Sequence, residues 1–479
     1  MSSTTGNRKG YLVKTNIFRE YDIRGIVGTE LIIDHVSDLI KAIATQLHHK
    51  HPSSQTIIVG RDGRLHSPAM HQHTLKALTE LGFDVIDVGI VPTPAVYFAV
   101  HHLNIPTALV ITASHNPGEY NGIKMWGVYG AQIQEIKKTY QEKNFMEPIN
   151  TIKGSIKTHD IINDYINYLT AHFAHLNGLK THVVIDCGNG TGGTVMPELV
   201  KKLNLVNTKL LYPEVDGTFP NHEADPTVPE NMVACAQALA QDPASEIGLG
   251  LDGDCDRMNP MTKSGYLVPG DKMLALFAAP ILAQHPGASV VCDIKSSGSL
   301  IDALKTLGAN ACIAPSGHSL IKKAMAEHKA LLAGELSCHF FFHDRYFGYD
   351  DGIYAALRTL ELLHTTGKTL DELLATIPAR ISSPEIRLAC TSDDQKVIIV
   401  AAVKQCFASR TDLEMITIDG IRAHMSYGWG LVRASNTQPV ICLRFESDTA
   451  EGLKRVKNDF LHTLTPYFDE QLLREKIEL

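Results

Sequence analysis

Along most of the chain, short β-branched runs alternate with longer stretches of helical periodicity, an order that predicts parallel sheets built from β-α-β units. The order recurs three times. A first strand runs into Gly or Asp at TIIVGRDG (56–63), HVVIDCGNG (182–190) and SVVCDIKSSG (289–298). A second follows a helical stretch at FDVIDVG (83–89), TKLLYPEV (208–215) and NACIAPSG (310–317). After another helix comes a third, at TALVITASHNP (107–117), EIGLGLDGDCD (246–256) and ALLAGELSCH (330–339). Each third strand ends in a polar loop. Ligands of parallel α/β sheets bind beyond the carboxyl ends of the strands, so the three loops are expected to face a central cleft as one composite site.

Beyond about residue 379 the pattern breaks, and its clearest feature is a hairpin of WGLVRAS, NTQP and VICLRFES (429–447). The expected architecture is α/β: three similar mixed domains with β-α-β-α-β repeats over 1–163, 164–265 and 266–378, and a smaller α+β domain over 379–479.

Composition narrows the partners. A chain of 479 residues, 44% hydrophobic, can bury several cores. The net charge of -8, with no block of Lys or Arg, argues against nucleic acid. Nine scattered cysteines without a CxxC suggest neither a disulfide framework nor a zinc site, and fit a reducing cytoplasm. The most apolar stretch, MLALFAAPILA (273–283), is too short for a bilayer and contains Pro280, so no membrane partner is expected. We expect a cytoplasmic monomer or weak oligomer.

The carboxylate loop, LDGDCDRM (251–258), sets Asp252, Asp254 and Asp256 on alternate positions, one face of extended backbone. A hard divalent cation relieves their repulsion. Arg257 and Lys263 stand where an EF-hand needs Gly and Glu, which excludes that calcium site, and few protein ligands with open positions suit Mg2+. The plain alternative is a solvated acidic turn.

TASHNPGEYNGIK (112–124) puts Ser114 just past a buried strand, outside any GxSxG frame; a helix cap is its ordinary alternative. His115 adjoins it, but neighbours often point apart, and its other role is to bond the loop backbone. GELSCH (334–339) offers Glu335 and Ser337 to sugar hydroxyls and His339 as an acid or base. RASNTQP (433–439) mixes Arg433 with Ser435, Asn436 and Thr437, suited to a phosphate or simply to a hairpin turn. Gly188, Gly190 and Gly193 match a GxGxxG dinucleotide spacing, but GRDG and KSSG in the other repeats favour a tight strand-to-helix turn.

Together these residues resemble the α-D-phosphohexomutase family, most closely its phosphomannomutase/phosphoglucomutase branch. The likeness runs through FREYDIRG (18–25), VGRDGR (59–64), TASHNP, NGIK, DGTFPNH (216–222), DGDCDR, SGHSLIKK (316–323), GELSCHFFF, DDGIYAALR (350–358) and RASNTQP. It implies a phosphoserine at Ser114 and a phosphoryl group moving between the 1- and 6-positions of a mannose or glucose phosphate, through a bisphosphorylated sugar. Mg2+ would be held by Asp252, Asp254, Asp256 and Ser114, with a hexose 1,6-bisphosphate as activator. Arg24 and Lys124 would assist at the serine, and His339 or His318 would act as general acid or base. Arg257 would lie near the transferring group; Tyr21, Lys295 and His318 would touch substrate, Glu335 and Ser337 the sugar hydroxyls. Arg433, Ser435, Asn436 and Thr437 would hold the idle phosphate.

The family usually has Met and Gly where Leu336 and Cys338 stand, which bears on the backbone of the sugar loop and the pose of His339. Three rivals remain. A phosphoglucosamine mutase usually carries a Gly-Thr pair in the last motif and Gln in the sugar loop. An aspartate-nucleophile phosphatase using Asp252 and Asp254 expects Thr or Val where Asp256 stands. The third is a nucleotide-dependent oxidoreductase or a silent sugar-phosphate binder.

Overall fold

The computed structural model describes residues 17–435 and 439–477. The chain forms two compact units: the part up to Tyr165 together with Val215–Glu223, and Ile166–Glu214 together with Ala224–Leu479.

In the first unit a six-stranded sheet runs in the order Ile23–Ile26, Tyr120–Met125, Ala108–Ile111, Thr56–Arg61, Asp84–Ile90, Ile156–Thr158. Ala108–Ile111 is buried at every position, the unbroken apolar run of a central strand covered on both faces. The helix Val36–Lys50 buries Val36, Leu39, Ile40, Ile43 and Leu47, a 3.6-residue stripe that packs into the core with Ile57, Val59, Leu109 and Ile133.

The second unit holds three sheets. One runs Met258–Thr262, Ile247–Leu251, Val183–Asp186, Thr208–Leu211, and the next Asn310–Ala314, Ser289–Asp293, Leu332–Gly334, Phe340–Phe342. The last is wholly antiparallel along Val440–Ser447, Gly428–Ala434, Ile421–Met425 and Leu413–Ile416, with the predicted hairpin pairing Trp429 to Glu446. Glu446, fully buried, ties this sheet to the preceding one: it accepts from Ser297 Oγ (2.5 Å), the Gly298 amide (2.7 Å), Ser382 Oγ (2.6 Å) and Trp429 Nε1 (2.8 Å). Arg422, stacked on the Trp429 ring, donates to the carbonyls of Ile294 and Ser296. The apolar stretch around Pro280 lies in the helix Gly270–Gln284, and no helix of the described residues is long and apolar enough to cross a membrane.

The three repeats carry one strand more than their hydrophobic pattern predicts. Each third parallel strand is followed by an antiparallel return: Tyr120–Met125, Met258–Thr262 and Phe340–Phe342. The polar loops are therefore reversals between paired strands, and their ends are held by sheet hydrogen bonds.

Candidate active site

The three reversals share a backbone device. Each holds one non-glycine residue in the left-handed region: Ser114 (φ 51°), Cys255 (φ 61°) and Cys338 (φ 67°). Such a residue costs roughly 1–2 kcal/mol, which the surrounding bonds offset.

In the first unit, Ser114 is buried and its amide donates to Thr112 Oγ1 at 2.9 Å. Its Oγ lies 3.1 Å from His115 Nδ1, so the left-handed turn brings together two neighbours that extended backbone would point apart. Arg24 comes from the strand Ile23–Ile26 and donates to Asn116 Oδ1 and Asp22 Oδ2, both at 2.5 Å. Lys124 lies on the return strand opposite Val110, buried, and Tyr21 is buried just before the first strand. Ser114, Arg24 and Lys124 thus arise on neighbouring strands of one sheet.

In the second unit, Asp252, Asp254 and Asp256 are all 0% exposed, and one oxygen from each lies within 4.8 Å of the others. Three buried like charges at that spacing fit a hard divalent cation with oxygen ligands, and a solvated acidic turn does not describe them. The glycine-rich turn braces this loop: Thr191 donates from its amide (2.9 Å) and Oγ1 (3.1 Å) to the Gly253 carbonyl. A Cβ at Gly190 would meet the Gly253 backbone at 2.7 Å, so the glycines serve close approach between two loops. Arg257 reaches Asp252 Oδ2 at 3.1 Å and Asp225 Oδ1 at 3.2 Å. Burial works against its charge, yet Asp225, Asp252 and Asp256 outweigh it and raise its pKa.

The sugar loop lies against the carboxylate loop, through an antiparallel bridge of Arg257 with His339 and a bond from the Met258 amide to the Cys338 carbonyl at 3.3 Å. Cys338 holds the left-handed backbone that glycine would take without strain, and its Sγ donates to Asn259 Oδ1 at 3.2 Å. His339 Nδ1 sits 3.7 Å from Asp256 Oδ1 and 3.4 Å from Asp350 Oδ2. His318 Nδ1 is also 3.4 Å from Asp350 Oδ2, and the two imidazoles stack at 5.8 Å. Burial would lower the pKa of His339, but Asp256 and Asp350 prevail and raise it.

Asp350 is the site residue that sequence reasoning missed. It is wholly buried and accepts from Lys322 Nζ at 2.7 Å; burial would raise its pKa, but Lys322 and His318 hold it well below the carboxylate range. The signal was present in DDGIY. Asp351 alone caps the helix Gly352–Thr366, accepting from the Tyr354 amide at 2.8 Å, which leaves one acid more than a cap needs.

Glu335 accepts from the Gly317 amide at 2.7 Å through Oε1, and its Oε2 is buried without a hydrogen-bond partner among the described residues. Burial, reinforced by Asp293, pushes its pKa up. Ser337 is half-buried in the same loop. Lys295 pairs with Glu385 at 3.2 Å and Asp293 at 3.7 Å, and those carboxylates overcome burial to raise its pKa. Arg433 reaches Asp419 Oδ2 at 2.9 Å, the oxygen that accepts from the Ser316 amide, while the Ser435 carbonyl accepts from Lys396 at 2.6 Å. Asn436 and Thr437 lie outside the described residues. The second unit therefore links Asp256, His339, Asp350 and His318 by direct contacts, with Arg257 and Glu335 on the same two loops.

Comparison with known proteins bears on this arrangement. Residues 15–146, 163–265 and 269–381 match the phosphoglucomutase/phosphomannomutase alpha/beta/alpha domains I, II and III, and 385–463 match the C-terminal domain of that family. A phosphomannomutase/phosphoglucomutase of Pseudomonas aeruginosa is 38% identical over 460 residues, 95% of this chain and 97% of that one. A phosphoglucomutase of Neisseria meningitidis is 40% identical over 454 residues, 94% and 96% of the two chains. Among solved structures, a phosphoglucomutase/phosphomannomutase family protein of Burkholderia thailandensis superposes with a TM-score of 0.84 at 34% identity, covering 95% of this chain and 98% of that one.

Proposed function

The chain belongs to the phosphoglucomutase/phosphomannomutase family and is a hexose phosphate mutase, and from that premise we propose that Ser114 carries the phosphoryl group exchanged with mannose and glucose phosphates. The relatives do not favour a glucosamine mutase or an aspartate-nucleophile phosphatase.

In the forward half-reaction the free hydroxyl of a hexose 1-phosphate attacks the phosphorus on Ser114. The bond from phosphorus to Ser114 Oγ breaks, a bond to the sugar oxygen forms, and the hydroxyl proton passes to His339 or His318. The bisphosphorylated sugar turns end for end, and its other phosphate returns to Ser114, leaving the 6-phosphate. Added hexose 1,6-bisphosphate enters at this midpoint and activates enzyme whose serine is bare.

Asp252, Asp254 and Asp256, with Ser114, would hold Mg2+, which when bound screens the phosphoserine and stabilises charge on the transferring oxygens. Arg24 and Lys124 offset charge at the serine as it loses and regains its phosphate. Arg257 stands ready beside the carboxylates for the same oxygens. Glu335 Oε2 and Ser337 accept sugar hydroxyls in either orientation of the ring, Lys295, His318 and Tyr21 contact the substrate, and Arg433, Ser435, Asn436 and Thr437 hold the idle phosphate.

The observation that carries this reading is the fully buried carboxylate triad with Asp256 beside His339 of the sugar loop, on which His318 stacks from the start of the helix His318–His328. The test is initial rates with Mg2+ and a hexose bisphosphate on mannose 1-phosphate, glucose 1-phosphate and glucosamine 1-phosphate, beside Ser114→Ala. Comparable mannose and glucose rates that collapse in the variant are expected. Turnover independent of Ser114 would refute the phosphoserine, and activity confined to glucosamine would move the protein to another branch.

A further inference from the structure

Two of the motifs that carry the family likeness, VGRDGR and DGTFPNH, have no part in the chemistry above, yet both converge on the serine loop. We propose that Arg64 is a positioning residue for phosphoryl transfer, a buried fork that holds the loop 114–120 in the backbone conformation from which Ser114 reacts. The inference rests on the reading of Ser114 as the phosphoryl carrier.

A guanidinium has five N–H donors in a fixed plane and no acceptor. Every one is used. Nε donates to Asp62 Oδ2 at 3.1 Å; one terminal nitrogen donates to the carbonyls of Pro117 (2.6 Å) and Tyr120 (3.1 Å), and the other to those of Ser114 (2.8 Å) and Asn116 (2.5 Å). Four carbonyls of one short loop thus turn inward onto a single cation that is 1% exposed. Without it their dipoles would face one another in a dry site.

Asp62 fixes the fork from behind, accepting also from the Arg64 amide (3.0 Å) and Ser67 Oγ (2.5 Å). The face of the guanidinium is covered by the Phe219 ring at 5.1 Å, from the segment Val215–Glu223 that belongs to this unit. A Cβ on Gly217 would collide with the Gly63 carbonyl, and one on Gly118 would touch the Gly217 carbonyl at 3.4 Å, so the DGTF turn lies directly against both the arginine segment and the serine loop.

The consequence for chemistry follows from Ser114 itself. Its left-handed backbone is unfavourable for a side chain, and its own carbonyl is one of the four that Arg64 holds. Released, the residue would relax toward extended backbone and carry Oγ away from its place beside His115.

Arg64→Lys keeps the charge but offers three donors in place of five in a plane, and Phe219→Leu keeps the hydrogen bonds but removes the ring. Two measurements separate positioning from bulk stability: the rate of Ser114 phosphorylation by glucose 1,6-bisphosphate, followed by intact mass with its amplitude giving the folded, competent fraction, and steady-state kcat and KM. For Arg64→Lys we expect about a 100-fold fall in kcat and in phosphorylation rate per competent molecule, as for a displacement of roughly 1 Å. KM for glucose 1-phosphate should stay within about threefold, because Arg64 meets no sugar. For Phe219→Leu, kcat should fall about three- to tenfold.

A rate per competent molecule within threefold of wild type, with only the amplitude or melting temperature reduced, would overturn the proposal, as would a rise in KM at unchanged kcat. If Arg64→Lys does not fold, an unchanged kcat in Phe219→Leu overturns it. Should the wild type itself take no phosphoryl group on Ser114, the functional reading fails first, and that outcome is distinct from a wild type that is phosphorylated and an Arg64→Lys enzyme that matches it.

Discussion

Replacing Asp350 by Asn removes one charge and almost no volume, so it isolates what that carboxylate does for the two histidines. At 3.4 Å from each imidazole and an effective dielectric near 20, each pairing with a protonated ring has a Coulomb energy of about 5 kcal/mol, and the contact with Lys322 at 2.7 Å about 6 kcal/mol. Desolvation of the buried groups cancels much of this. What remains when one member of such a network is neutralised is about 3–5 kcal/mol of stability. Function should suffer separately, because the Asp350 charge lies 3.4 Å from both Nδ1 atoms and stabilises positive charge on the imidazoles. An acid or base whose proton affinity is mistuned forfeits part of a contribution of roughly 10²–10⁴ in rate. The expected Asp350→Asn enzyme is folded, has a urea midpoint lowered accordingly, and shows kcat down about 100-fold with KM for glucose 1-phosphate within about threefold. Steady-state kinetics on the purified variant, normalised to folded protein from the urea curve, decide it. A kcat within threefold of wild type would refute the assignment of proton transfer to the His318 and His339 pair.

Further outcomes follow from other sites. His424 accepts from Arg422 Nε at 3.1 Å, and burial together with that cation lowers its pKa to about 4. With the folded pKa depressed, the unfolded chain takes the proton first, so this contribution to stability is full above about pH 6.5 and is lost as pH falls toward 4; its ceiling of about 3 kcal/mol drops to roughly 2 after solvent screening. Urea unfolding from pH 7.5 to 4.5, read by Trp429 in a Trp126→Phe background, should show a shallower acid slope for His424→Gln than for the parent; identical slopes would remove the argument. Glu446→Ala strands four donors and should cost about 3–5 kcal/mol in the same fluorescence assay, whereas a loss under 1 kcal/mol would mean that water replaces the carboxylate. Asp254→Asn relieves like-charge repulsion, so in EDTA its melting temperature should exceed that of the wild type, while the rise on adding Mg2+ should vanish. A rise as large as the wild type's would place the cation elsewhere.

Much of this was readable before any coordinates. The three-strand plan was legible because ALVI, IGLGL and SVVCD are buried runs whose periodicity reports local structure, and the residues at their ends were legible because parallel strands present them there. The return strands were not. YNGIKM and MNPMT carry Gly, Asn and Pro and become strands only because an edge is open beside them, a tertiary effect that propensity does not contain. Asp350 and Arg64 escaped for a related reason. A buried charge announces itself through its partners, and those of Arg64 lie on a loop far along the sequence. Cys338 departs from the glycine of the family pattern, a change expected to be tolerated; what the sequence does not show is that its thiol bonds Asn259 while its backbone stays left-handed.

The return of Val215–Glu223 to the first unit also has a meaning in time. During synthesis the serine loop and the arginine beneath it emerge early, but the Phe219 ring that covers them leaves the ribosome only after the whole of Ile166–Glu214 has been made. Until then the sheet of the first unit can form, while its reactive turn lacks its cover. A fragment cut at Tyr165 would stop at that stage, and a nascent chain paused there would present a serine not yet committed to its working shape. The last stitch in the first unit is thus made only after the opening segment of the second has been synthesised, so the first unit is not finished before the second has begun.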